Sequence, residues 1–193
     1  MLYVDPNGSA LVELGPDFDS GATGGLLSIG DEVTVFTGAV GPGAVGGLKL
    51  DTAADIKVEY LGKEAGFTNI FHLGGDLFNT DTTAPGASQT FLNVAGDIIP
   101  FLFQTDGGNG AGPFSAENGG PIDLGLSIAF AALGDGSFIA LFDDHGEGVD
   151  YDDMAVRISV SQVPLPAAAW LLISAILGLV SFSRIRRSGT QTA

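Results

Sequence analysis

Asp55-Ile-Lys-Val-Glu-Tyr-Leu61 alternates without a break: Ile56, Val58 and Tyr60 fall on one side, Asp55, Lys57 and Glu59 on the other. An extended chain, with its side-chain period of two, sends those sets to opposite faces, so this is a half-buried strand. Asp123-Leu-Gly-Leu-Ser-Ile-Ala-Phe130 repeats the pattern, with Leu124, Leu126, Ile128 and Phe130 on one face. Met154, Val156, Ile158 and Val160 do so again, with Arg157 turned outward. Shorter strands are predicted over 10–14, 33–37, 67–73, 89–94, 98–103 and 138–142. Between them stand breakers such as Gly41-Pro-Gly43, Gly74-Gly-Asp76 and Gly119-Gly-Pro121. Residues 106–121 read as a long flexible loop. No helical period precedes residue 163. The pattern predicts an all-β fold, an antiparallel β-sandwich or jelly-roll-like domain over residues 1–162.

Composition agrees. The 193 residues include 30 glycines and no cysteine, with 45% hydrophobic residues. That apolar content supports a core and argues against disorder, despite a net charge of −16. The absence of cysteine removes disulfides, thiolate zinc sites and cysteine nucleophiles together. Nucleic acid is not an expected partner, because phosphate recognition needs clustered Lys and Arg. All 23 acids precede Val163, opposed there only by Lys49, Lys57, Lys63 and Arg157.

The charge reverses at the C-terminus. Leu165 to Ser183 is uncharged and mostly apolar, and Arg184, Arg186 and Arg187 follow it. Nineteen residues at about 1.5 Å each span roughly 28 Å, enough for a bilayer core, so a single transmembrane helix is predicted. The arginines place its C-terminal end, including residues 188–193, in the cytoplasm and the acidic domain across the membrane. Such an orientation needs an export signal. Met1-Leu-Tyr-Val-Asp-Pro-Asn-Gly8 has neither a basic start nor an apolar stretch, which predicts a fragment or a misassigned start.

Asp143-Asp-His-Gly-Glu-Gly-Val-Asp-Tyr-Asp-Asp153 holds six carboxylates, Asp143, Asp144, Glu147, Asp150, Asp152 and Asp153. Their mutual repulsion calls for a cation or for solvent. Ca²⁺ takes six to eight oxygen ligands in flexible geometry, and loop carboxylates supply them. The competing reading is a solvated acidic hairpin. The spacing is not that of an EF-hand. Asp152 shares the parity of Met154, so its side chain is alternatively expected to turn inward and cap the turn.

His72 reads as an outward-facing strand residue and His145 as an exposed loop residue. With two histidines and no nucleophile motif, no catalytic residue is assigned, and the chain reads as non-enzymatic. Gly41-Pro-Gly-Ala-Val-Gly-Gly47 lacks the lysine of a phosphate loop and reads as a turn.

Val163-Pro-Leu-Pro-Ala-Ala-Ala-Trp-Leu-Leu172, the apolar helix and Arg184-Ile-Arg-Arg187 together resemble the PEP-CTERM sorting signal, in its VPLPAAAW variant. Leu165 stands where many members have Glu. Glu59-Tyr-Leu-Gly-Lys-Glu-Ala-Gly-Phe-Thr-Asn69 and the stretch from Phe142 to Ile158 also look like segments recurring in such exported proteins. The resemblance implies that residues 163–187 form a sorting signal, with Val163, Pro164, Leu165 and Pro166 as the motif that an exosortase recognises. It implies anchoring in the inner membrane, processing, and delivery to the surface or exopolysaccharide matrix of a Gram-negative bacterium. Beside a non-enzymatic matrix protein stand two other readings, a carbohydrate-binding module and a secreted hydrolase. A module needs exposed aromatics, for which the domain offers Tyr3, Tyr60, Tyr151 and some Phe.

Overall fold

The computed structural model describes residues 1–38, 46–64, 66–106, 112–144 and 150–161. These belong to one compact unit, Met1–Ser161; the expected sorting motif and membrane helix lie in a second unit, outside the described residues. Among the described residues no helix is long and apolar enough to cross a membrane.

The fold is all-β. Seven strands build the largest sheet: β2 (Ala10–Glu13), β3 (Glu32–Thr37), β5 (Ala54–Gly62), β8 (Ser88–Val94), β12 (Ser127–Ala132), β13 (Phe138–Asp143) and β14 (Met154–Val160). They lie in the order β2-β3-β12-β13-β14-β5-β8, every pair antiparallel. A second sheet orders β11 (Phe114–Glu117), β10 (Phe101–Thr105), β6 (Asn69–Leu73) and β7 (Asp76–Asn79). A third joins β1 (Leu2–Asp5), β4 (Gly47–Leu50) and β9 (Asp97–Ile98).

The alternation in the sequence explains how these sheets pack. Ile56, Val58 and Tyr60 of β5, Ile128 and Phe130 of β12, Phe142 of β13 and Met154, Val156 and Ile158 of β14 share one core with residues of the two smaller sheets. Phe71, Phe101 and Phe103 meet them from the second sheet, and Leu2, Leu48 and Leu50 from the third. Phe103 stacks on Phe142 with ring centroids 5.0 Å apart and planes 3° from parallel. The result is a β-sandwich. The large sheet is also covered on its other face, where Val33, Val35, Ala129, Ala131, Ile139, Leu141 and Ala155 pack against Leu14, Phe18, Leu27 and Tyr151. With both faces buried, the central strands β12 and β13 are almost wholly apolar, whereas β5 alternates with charged residues.

Three sequence expectations are corrected. The strand over 123–130 starts only at Ser127: Gly125 takes φ +90°, which breaks the extended chain, and Leu124 is left exposed. The strand over 98–103 is divided at Pro100, which has no N–H for a ladder; β9 joins the third sheet and β10 the second. Residues 106–121 are not all loop, because Phe114–Glu117 pairs with β10 as β11. Four-residue strands β1, β4 and β7 carry too few residues for a readable period.

Candidate metal centre

The acidic stretch connects two central strands. β13 ends at Asp143 and β14 begins at Met154, so their antiparallel pairing brings both ends of the connection together. Tyr151, at φ +63°, reverses the chain and buries its ring on the outer face of the large sheet. Of the six predicted ligands, Glu147 lies outside the described residues, as does His145. Four of the remaining five are buried: Asp143 is 3% exposed, Asp144 2%, Asp152 0% and Asp153 7%. Asp150 is half-buried. These four side chains are largely withdrawn from water, unlike those of an open, solvated turn.

Protein donors compensate part of the charge. Ser127 Oγ donates to Asp143 at 3.1 Å, and the Asp144 N–H to Asp153 at 2.7 Å. Asn69, at the head of β6, donates from Nδ2 to Asp144 at 2.7 Å and to the Asp153 carbonyl at 3.3 Å. Asp152 is buried, and its Oδ2 accepts the N–H of Asp19, which caps the 3₁₀ turn Ser20–Thr23. Its other oxygen, Oδ1, is buried without a hydrogen-bond partner among the described residues, and so is Oδ1 of Asn69. A buried bare carboxylate oxygen is costly.

Burial raises the affinity of these groups for protons. It pushes Asp152 up to about 6, and it raises Asp144 and Asp153, whose carboxylates also feel the charge of Asp150.

Two triads of carboxylates converge. Glu64, Asp150 and Asp152 offer ligand oxygens within 4.8 Å of one another, and Asp143, Asp150 and Asp153 do the same. Glu64 has no signal in the sequence, because it lies just beyond β5, far from the acidic stretch. The pairing of β5 with β14 brings it there, and its N–H donates to the Asp152 carbonyl at 2.9 Å. Gly62 allows the approach of the 3₁₀ turn: a Cβ there would lie 2.8 Å from the Ala22 carbonyl oxygen.

Elsewhere, His72 is a half-buried strand residue whose Nδ1 lies 2.9 Å from Asp76 and whose Nε2 lies 2.9 Å from Gln104. Tyr60 and Tyr151 are buried and offer no aromatic platform; Tyr3 and Phe114 are the exposed aromatics among the described residues. No protein-family model, curated protein or solved structure matches the chain.

Proposed function

We propose that this is a non-enzymatic, exported β-sandwich whose buried acidic corner holds Ca²⁺ as a structural staple. The observation that carries the reading is Asp152 Oδ1, buried and without a partner among the described residues, beside converging carboxylates. A hard divalent cation supplies what this oxygen lacks, and oxygen-only donors suit Ca²⁺ rather than a transition metal. Backbone carbonyls and water complete the coordination shell. Delivery rests on residues 163–187, which resemble an exosortase sorting signal and assign the domain to the cell surface or exopolysaccharide matrix. Extracellular calcium is abundant, so a dissociation constant on the order of 10⁻⁴–10⁻³ M suffices there.

The test is thermal melting of the full-length chain in detergent with calcium, with chelator, and with magnesium as the control for screening. At calcium ten times the dissociation constant, linkage gives about 1.4 kcal/mol of stabilisation. A calcium-specific rise in melting temperature, lost on Asp152→Asn, supports the staple. Equal shifts with magnesium, or none up to millimolar calcium, overturn it.

A further inference from the structure

The acidic corner divides into two halves. Asp152 and Asp153 are consecutive, at a bend immediately before β14, and their carboxylates go to different partners. Asp152 is directed to the Asp19 N–H and to Glu64; Asp153 is directed to the Asp144 N–H and to Asp143. Asp150 alone belongs to both triads. The first half contains a buried oxygen with no hydrogen-bond partner among the described residues, Asp152 Oδ1; a second such oxygen, Oδ1 of Asn69, lies on the residue whose Nδ2 is bonded to Asp144 and to the Asp153 carbonyl beside the other half.

We infer that the corner is a pair of adjacent divalent-cation sites bridged by Asp150, one formed with Glu64 and Asp152 and the other with Asp143 and Asp153. This rests on the calcium reading and extends it. Charge favours two ions over one. Glu64, Asp143, Asp150, Asp152 and Asp153 carry −5 when ionised, which one Ca²⁺ leaves at −3 and two reduce to −1. A shared carboxylate, one oxygen toward each ion, is what lets two cations sit close together without full mutual repulsion.

The two ions do different work. The Asp143–Asp153 ion closes the ends of the β13–β14 connection onto each other. The Glu64–Asp152 ion ties that connection to the segment following β5. Through Asp152 it also reaches Asp19 and the 3₁₀ turn over the outer face of the sheet. Glu64 is exposed, so its site is the one open to exchange.

Calcium titration calorimetry on the chelator-stripped full-length chain in detergent reads the stoichiometry. Two ions per chain are expected. Glu64→Gln, a surface change that leaves the fold intact, should lower the count to one while the tighter binding event remains. Asp143→Asn should also lower it to one, leaving the Glu64 site, and Asp150→Asn should weaken both events at least tenfold. Circular dichroism of each variant separates lost binding from lost folding. One ion per chain in the parent protein, or a Glu64→Gln variant with unchanged stoichiometry, overturns the paired site and leaves a single calcium staple standing. Absence of any calcium binding overturns both readings.

Discussion

The side-chain amide of Asn69 donates to Asp144 at 2.7 Å across 75 residues of sequence, tying the second sheet to the acidic corner of the first. The same amide holds the Asp153 carbonyl, so one residue fixes both ends of the β13–β14 connection. Removing it leaves Asp144 and a carbonyl without their donor in a buried place. Asn69→Ala should therefore cost about 2–3 kcal/mol by chemical denaturation. It should also weaken calcium binding. An unchanged denaturation midpoint would show that the amide is dispensable.

A second clamp lies at the opposite junction. Asn118 accepts the Leu48 N–H at 2.8 Å and donates to the carbonyls of Leu48 and Ile99 at 2.9 and 2.8 Å. It joins the segment after β11 to β4 of the third sheet and is 3% exposed. Asn118→Ala breaks three buried bonds and should destabilise the domain by about 2–4 kcal/mol. Its calcium dependence should be unchanged, because it touches none of the carboxylates of the corner. Loss of the calcium response in this variant would mean that the two ends of the sandwich are coupled.

Surface charge predicts less. Arg157 pairs with Asp135 and also donates to Ser137 at 3.0 Å. Both charged partners of that pair are partly solvated, and such pairs contribute roughly 0–1 kcal/mol. Asp135→Asn should accordingly shift the midpoint little. A loss as large as that expected for Asn118→Ala would overturn this ranking.

The tail yields a separate prediction. If Pro164 and Pro166 form a recognition motif, replacing both with Ala should leave membrane insertion intact and block processing, so the chain stays in the inner-membrane fraction. If these charges hold the C-terminal end in the cytoplasm, neutralising Arg184, Arg186 and Arg187 should instead loosen topology. Release of a shortened product from the Pro variant at the parent level would refute recognition by an exosortase.

What was legible in the sequence follows one physical rule. Segments buried on one face, such as β5, show their period directly, and Ile56, Val58 and Tyr60 all point into the core. β13 is buried on both faces, so the sequence marks it as apolar without separating Phe142 from Leu141; in β12 the alternation still set Ile128 and Phe130 on one face, and both enter the core. Four-residue strands such as β1, β4 and β7 span only two alternations and carry little signal. The acidic stretch announced its own carboxylates but not their partners. Glu64, Asn69 and Asp19 reach the corner only through the pairing of β14 with β5 and the stacking of two sheets. Non-local contacts of that kind leave no trace in spacing.

The last prediction concerns pH. Burial raises the carboxyl of Asp152 from 3.8 to about 6, whereas in the unfolded chain it titrates near its ordinary value. The folded, calcium-free protein thus holds more protons than the unfolded one between about pH 4 and 6, so stability falls as pH rises through that window. A shift of this size corresponds to on the order of 3 kcal/mol. The raised Asp144 and Asp153 act in the same direction. Asp5, Asp51, Asp81 and Asp135 are lowered instead, and their contribution is lost only as pH falls below about 4, outside the window. In chelator, melting temperature should therefore be higher at pH 5 than at pH 8. Calcium reverses the slope, because it binds the deprotonated carboxylates and displaces their protons. The gap between calcium and chelator curves should widen steadily from pH 5 to 8, and Asp152→Asn should flatten the chelator curve. A chelator curve that rises with pH would show that these carboxylates remain ionised in the folded protein without a cation.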